Sequence, residues 1–213
     1  MLDIRIYYSA LNFLRKNNSE TLKKYWLKEI TRKEKFSWTD IPKRIKSRRR
    51  YFLFWWRLAN EMYAKGNKGE KKNASRINSR LKDRFGVEIM LGAQIGAGLH
   101  MPHLNGIVIT DTLIAGENLT VLQNTTIGKR YTYQNGSIRI GNNVSIGAGS
   151  HIIGNDLTIG DDVYIGAASV VLKDIPSDTV FFTKAEPCMH PGKKKQEYQR
   201  DDAGRGRDDF PSA

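Results

Sequence analysis

Ile140-Gly141-Asn142-Asn143-Val144-Ser145-Ile146-Gly147 is the stretch that decides the fold. Its apolar-glycine pair recurs after six residues, and the pair returns at Ile95-Gly96, Ile127-Gly128, Ile153-Gly154, Ile159-Gly160 and Ile165-Gly166. A hexapeptide period marks a parallel β-helix in which each repeat supplies one short strand and a turn. The apolar residue is expected to point inward at each corner, with the glycine letting the backbone turn without steric penalty. Three repeats then make one triangular coil, and stacked coils bury a core that no single repeat could bury.

Two irregularities stand out along this repeat. Between Met101 and Ile109 the spacing rises from six to eight residues, so the wall should bulge at His103. Between Gly128 and Ile140 an insertion, Lys129-Arg130-Tyr131-Thr132-Tyr133-Gln134-Asn135-Gly136-Ser137-Ile138-Arg139, should project as a loop, the kind of segment that carries recognition on a rigid scaffold.

Outward from the repeat the pattern changes. Residues 1–85 read as helical, with Ile4, Tyr7, Tyr8, Leu11 and Leu14 at helical spacing and Leu22, Tyr25, Trp26 and Ile30 repeating it. Pro42 opens a third segment that Gly66 and Gly69 end, and Ser75 to Phe85 gives a short last helix. Residues 86–187 form the repeat domain. Residues 188–213, rich in Gly, Lys, Arg and Asp, read as a polar, flexible tail without a core of its own.

Composition narrows the function classes. The chain has 213 residues and a formal charge of +13, with the basic surplus concentrated before Phe85 and at Lys193-Lys194-Lys195. Such a surface suits an anionic partner, or is simply a solvated helical face. The single cysteine, Cys188, excludes an intrachain disulfide framework and suits a reducing, cytoplasmic location. No signal peptide is expected, and Tyr51-Phe52-Leu53-Phe54-Trp55-Trp56 is far short of the ~20 residues that span a bilayer.

The run Glu88 to Gly96, Met101-Pro102-His103-Leu104-Asn105-Gly106-Ile107-Val108-Ile109, Leu122 to Gly128, Val144 to Gly149 and Tyr164 to Val171 resembles the serine acetyltransferase family of hexapeptide-repeat acyltransferases. The resemblance implies a left-handed parallel β-helix, mainly β with an α-helical N-terminal region, and acetyl transfer from acetyl-CoA to a hydroxyl without a metal. It implies that His103 is the general base, with Glu88, fifteen residues earlier, in the place of the carboxylate that orients it. A hydroxyl is a poor nucleophile at neutral pH, so an imidazole must take its proton as attack proceeds, and a carboxylate on the other ring nitrogen steadies the tautomer. The resemblance further implies a homotrimer with acetyl-CoA in the groove between subunits and the helices packed at one end. Gly147, Ala148, Ala167 and Ala168 match the small residues that line the cofactor, Lys129 and Arg130 fall along its channel, and Lys184 is a candidate partner for a CoA phosphate.

The resemblance also breaks. The family's aspartate directly before the catalytic histidine is Pro102 here, and its Arg-His pair is absent from Gln134-Asn135-Gly136-Ser137. An unpaired ammonium or carboxylate in a partly buried site costs several kcal/mol, on the order of 2–7. L-serine is therefore not the expected acceptor; Phe54-Trp55-Trp56-Arg57-Leu58-Ala59-Asn60 and Asn73-Ala74-Ser75-Arg76-Ile77-Asn78 resemble the short leaders of the capsule and exopolysaccharide O-acetyltransferases, which implies a cell-surface polysaccharide or its precursor. Gln123, Tyr131, Tyr133 and Gln134 would contact it, since aromatic faces stack on sugar rings and amides read hydroxyls. The alternative acceptor is L-serine. A zinc carbonic anhydrase on the same fold would need three converging histidines. A non-enzymatic reading takes Lys46-Ser47-Arg48-Arg49-Arg50 as a nucleic-acid or membrane-surface module. The leading reading expects no nucleic acid partner and leaves peripheral contact with an anionic inner membrane face open.

Overall fold

The computed structural model describes residues 3–17, 19–131, 133, 135–184 and 186. Residues 1–183 form one compact unit, and residues 184–213 a second, in which only Lys184 and Glu186 are described. Gln134, Cys188, His190 and the expected tail lie outside the described residues.

The first unit opens with helices α1 (Ile4–Lys16), α2 (Glu20–Trp26, continued by a wider π turn over Leu27–Thr31), α3 (Ile41–Arg44), α4 (Arg48–Lys65) and α5 (Lys68–Phe85). α1 forms where the spacing predicts it, but the face it buries is Ile6, Ala10 and Phe13, leaving Ile4, Tyr8 and Leu11 exposed. α5 begins well before Ser75. Asn67 and Glu70 make a reciprocal capping box that satisfies backbone donors at its start, and this outweighs the helix penalty of Gly69.

Among the described residues thirteen strands follow: β1 (Val87–Ile89), β2 (Gln94–Ile95), β3 (Ile107–Ile109), β4 (Leu113–Ala115), β5 (Thr120–Val121), β6 (Thr126–Gly128) and β7 (Ile138–Ile140). They continue as β8 (Ser145–Ile146), β9 (His151–Ile153), β10 (Leu157–Ile159), β11 (Tyr164–Ile165), β12 (Val170–Val171) and β13 (Val180–Phe181). All pair in parallel into three sheets, β1-β3-β6-β9-β12, β2-β4-β7-β10 and β5-β8-β11-β13. The chain visits the sheets in rotation, and single bridges at His100–Thr120 and Ile159–Ile175 complete the first and last turns. This is the left-handed parallel β-helix of the hexapeptide repeat.

The repeat glycines do a different job from the one expected. Gly96, Gly141, Gly147 and Gly160 do not adopt positive φ; a Cβ on any of them would fall under 3.0 Å from atoms of the next coil. They are small so that coils can stack. The left-handed turn position falls elsewhere, on Gly106, Asn124, Gly149 and Ala168 at one corner and Asn118, Asn143, Asp162 and Asp178 at another. Asn and Asp tolerate that conformation better than other side-chain-bearing residues. At the second corner their amides also ladder from coil to coil, Asn118 to Asn143 and Asn143 to Asp162.

The helices close the N-terminal end of the prism. Trp56 Nε1 donates to the Ile89 carbonyl at 3.1 Å, and the Asn60 amide bonds both the Ala93 carbonyl and the Gly92 N–H. Arg57, 3% exposed, is held bidentate by Glu29 and donates to the carbonyls of Ile95 and Gly96. Glu29 in turn accepts from the N–H groups of Gly98 and Leu99. The pair is buried but has its hydrogen bonds filled, the condition under which a buried ion pair can be sustained.

Candidate active site

His103 stands at the corner between the third and first sheets. His100 pairs with Thr120 and Val108 with Thr126, so eight residues of the first coil cover what six cover in the next. The extra pair makes the bulge, and the exposed imidazole projects from it. It opens on a cavity of about 500 Å³. Pro102, His103 and Asn105 line it from the bulge, Gln123 from the next coil, and Arg48 and Arg49 from the first turn of α4.

The same corner carries the small residues. Backbone bonds run up it from coil to coil: Asn124 N to Asn105 O at 2.9 Å, Gly149 N to Gln123 O at 2.9 Å and Ala168 N to Ala148 O at 2.8 Å. His103, Gln123, Ala148, Ala167 and Ala168 therefore belong to one edge of the prism. Ala167 and Ala168 are exposed, and a Cβ built on Gly149 would meet nothing within 4 Å, so the edge offers an open track on which an extended arm can approach the backbone. Gly147 is different: it is buried against Gly166 and Ala167 of the next coil, so its size serves stacking.

Other candidates lie apart from this corner. Glu88, in the middle of β1, forms an ion pair with Lys82 at 2.8 Å and lines a separate cavity with Tyr63, Asn78 and Met90. Among the described residues no hydrogen bond joins it to His103. Lys129, Arg130, Tyr131 and Tyr133 sit on the loop between β6 and β7, at the corner between the first and second sheets. Asn155 pins the base of that loop, accepting from the N–H groups of Arg130 and Tyr131 and donating to the Tyr131 carbonyl. Tyr131 and Tyr133 lie with ring centroids 5.6 Å apart, both exposed. The two corners flank the first sheet on opposite sides, so one chain does not bring the loop to its own His103. Lys184 pairs with Glu186 at 3.7 Å in the second unit.

Within one chain the described histidines do not converge. His100 accepts a hydrogen bond from Arg49 at 2.8 Å, because a guanidinium can only donate. Burial first, then Arg49 and Arg32, hold the His100 ring below its ordinary pKa and so neutral. His151 points outward from the first sheet between Thr126 and Val170, and among the described residues no group of three His, Cys, Asp or Glu is placed to hold a metal.

Sequence reasoning missed Arg48 and Arg49 as site residues and Arg57 as the tie between helices and coil. The basic run was visible, but nothing in it said which arginines face solvent, which face the cavity and which are buried.

A bulged histidine beside a ladder of small residues on a hexapeptide β-helix defines the class, and comparisons narrow it. No family model matches the chain. It is 41% identical over 125 residues to serine acetyltransferase 3, mitochondrial, of Arabidopsis thaliana, covering 58% of this chain and 31% of that protein. It is also 41% identical over 130 residues to a serine acetyltransferase of Staphylococcus epidermidis, covering 57% and 56%. The chain thus spans a third to about half the length of these two relatives. Among solved structures it is similar to Neisseria gonorrhoeae serine acetyltransferase in complex with serine, at 28% identity and TM-score 0.64, over 86% of this chain and 73% of that one. Soybean serine acetyltransferase apoenzyme gives 26% identity and TM-score 0.66 over 80% and 69%. The chain is thus similar to serine acetyltransferases in the sequence of its repeat region and in the fold of most of its length.

Proposed function

We propose that the protein is an acetyl-CoA-dependent O-acetyltransferase whose leading acceptor is L-serine. The observation that carries the reading is the placement of His103, on a two-residue bulge, at the same prism edge as Ala148, Ala167 and Ala168. Acetyl-CoA would lay its pantetheine arm along that edge with the thioester at the bulge. His103 takes the proton of the acceptor hydroxyl as its oxygen attacks the thioester carbonyl. Backbone N–H groups of the bulged turn are suited to the oxyanion, and the proton on His103 then goes to the departing CoA sulfur. The His103 corner and the corner that carries the β6–β7 loop are separated on one chain, so a homotrimer, in which one subunit's Tyr131–Tyr133 loop reaches the neighbour's His103, would complete the site. Glu88 would act on His103 only after giving up Lys82.

Serine as leading acceptor rests on the relatives named above, all serine acetyltransferases by name; it displaces the saccharide expected from the loop aromatics. One observation keeps a saccharide as the second reading: among the described residues no acidic side chain lines the His103 cavity to offer a serine ammonium a counter-charge. The test is CoA release from acetyl-CoA with L-serine, and separately with bacterial polysaccharide. Release with serine supports the leading reading; release with the saccharide alone would replace it by the second.

A further inference from the structure

We propose that Arg48 and Arg49 form an anion-reading wall of the acceptor pocket, so that the acceptor is a hydroxyl compound carrying a carboxylate. This rests on the transferase reading of His103.

Both arginines line the His103 cavity. The buried guanidinium of Arg57, by contrast, is neutralised by Glu29. Among the described residues Arg48 and Arg49 have no carboxylate. Arg48 lies over the Phe85 ring at 5.2 Å, and Arg49 donates to His100. The nearby charges worsen the balance, since Arg32 and Arg50 both act on Arg49. α4 starts here without an acidic residue in its first turn and without a side-chain cap from Ser47. Three arginines at the positive end of an 18-residue helix oppose its dipole, which weakens the fold unless an anion sits there.

A second, independent observation lies on the opposite wall. Gln123 is half-buried in the cavity lining, and its Oε1 is buried without a hydrogen-bond partner among the described residues, so a turn of the amide toward the cavity would let a ligand O–H or N–H satisfy it. The donor side is accounted for, because the small-residue track runs up the coils away from α4. What remains between His103 and α4 is room for an acceptor with its hydroxyl at the imidazole and its carboxylate in the guanidinium forks, the geometry in which arginine binds carboxylate best. Two sources share this chemistry, an amino or hydroxy acid and an acidic sugar.

The experiment compares L-serine with L-serinamide and galacturonic acid with galactose, in wild type, in Arg48→Met and Arg49→Met, and in the two lysine variants. The expected result is that each methionine variant raises the KM of the carboxylated acceptor about tenfold or more, the size of a lost charged hydrogen bond. The uncharged analogue and acetyl-CoA keep their KM, and lysine restores much of the loss. Which pair turns over identifies the source. A rise in the acetyl-CoA KM instead would assign the arginines to donor phosphates, and no change in either would make them bystanders; both overturn the proposal. If wild type turns over none of the acceptors, the transferase reading fails by itself, and malonate titration followed through the His103 ring resonances decides the anion wall. Saturable shifts that Arg48→Met and Arg49→Met weaken uphold it; equal shifts in all three proteins, or none, overturn it.

Discussion

His103 owes its position to two residues that its coil has and the next coil lacks. That excess could be counted in the sequence, because in a hexapeptide repeat every departure from six must appear as a bulge or a loop. The rest of the cavity could not be counted. Arg48 and Arg49 come from a helix about fifty residues earlier, and a charge run carries no information about which tertiary surface it meets. On the proposed mechanism the imidazole is the base and nothing more: His103→Ala should lower kcat by about 10²–10⁴-fold while the melting temperature stays unchanged, because the ring is exposed and makes no hydrogen bond among the described residues. Steady-state kinetics beside a thermal melt checks both halves. For Glu88 the ion pair with Lys82 competes with the role that the family resemblance implies. Glu88→Gln should cost much less than His103→Ala if the Lys82 pair persists during turnover, and an equal loss would mean that Glu88 swings to the histidine.

At the scale of elements, periodicity located the coils and most helices, and erred where a local motif or a second coil intervened. Gly69 reads as a helix end until Asn67 and Glu70 are seen to close a capping box. Asn67→Ala should therefore destabilise the protein by about 1 kcal/mol, read from the denaturation midpoint. The repeat glycines read as turn formers because the sequence does not show what lies on the adjacent coil. Gly141 faces Asp161 and the Gly160 backbone there, so Gly141→Ala should cost about 1–3 kcal/mol through crowding of the stack. The same substitution at Gly128, which has side-chain neighbours no nearer than 3.7 Å, should be far milder. A denaturation series on the two variants separates stacking from turn chemistry.

Over the whole molecule, the helical leader and the β-helix behave as one body because polar groups of the first coil are satisfied by helix side chains. Glu29 and Arg57 do most of this, and losing either leaves a buried charge unpaired, typically at about 3–5 kcal/mol. His100 adds a pH dependence to that junction. Its folded pKa lies below the ordinary 6.5, so on acidification the unfolded chain takes up the proton first. Stability at this site is full above about pH 6.5 and falls as pH drops toward the folded value, where protonation would break the bond from Arg49. Arg32, Lys28 and Glu29 face the same cavity, and the net positive surroundings keep the sign. Melting temperatures taken from about pH 7 to about pH 5 should fall less steeply in His100→Gln than in wild type. None of these ties could be read from the sequence, since each joins residues more than 25 positions apart without a shared period. The central claim concerns chemistry at the bulged corner, and the most direct test is CoA release from acetyl-CoA and L-serine by wild type beside His103→Ala. Release by wild type that is lost in the variant is the predicted result; release that continues undiminished without the imidazole would contradict it.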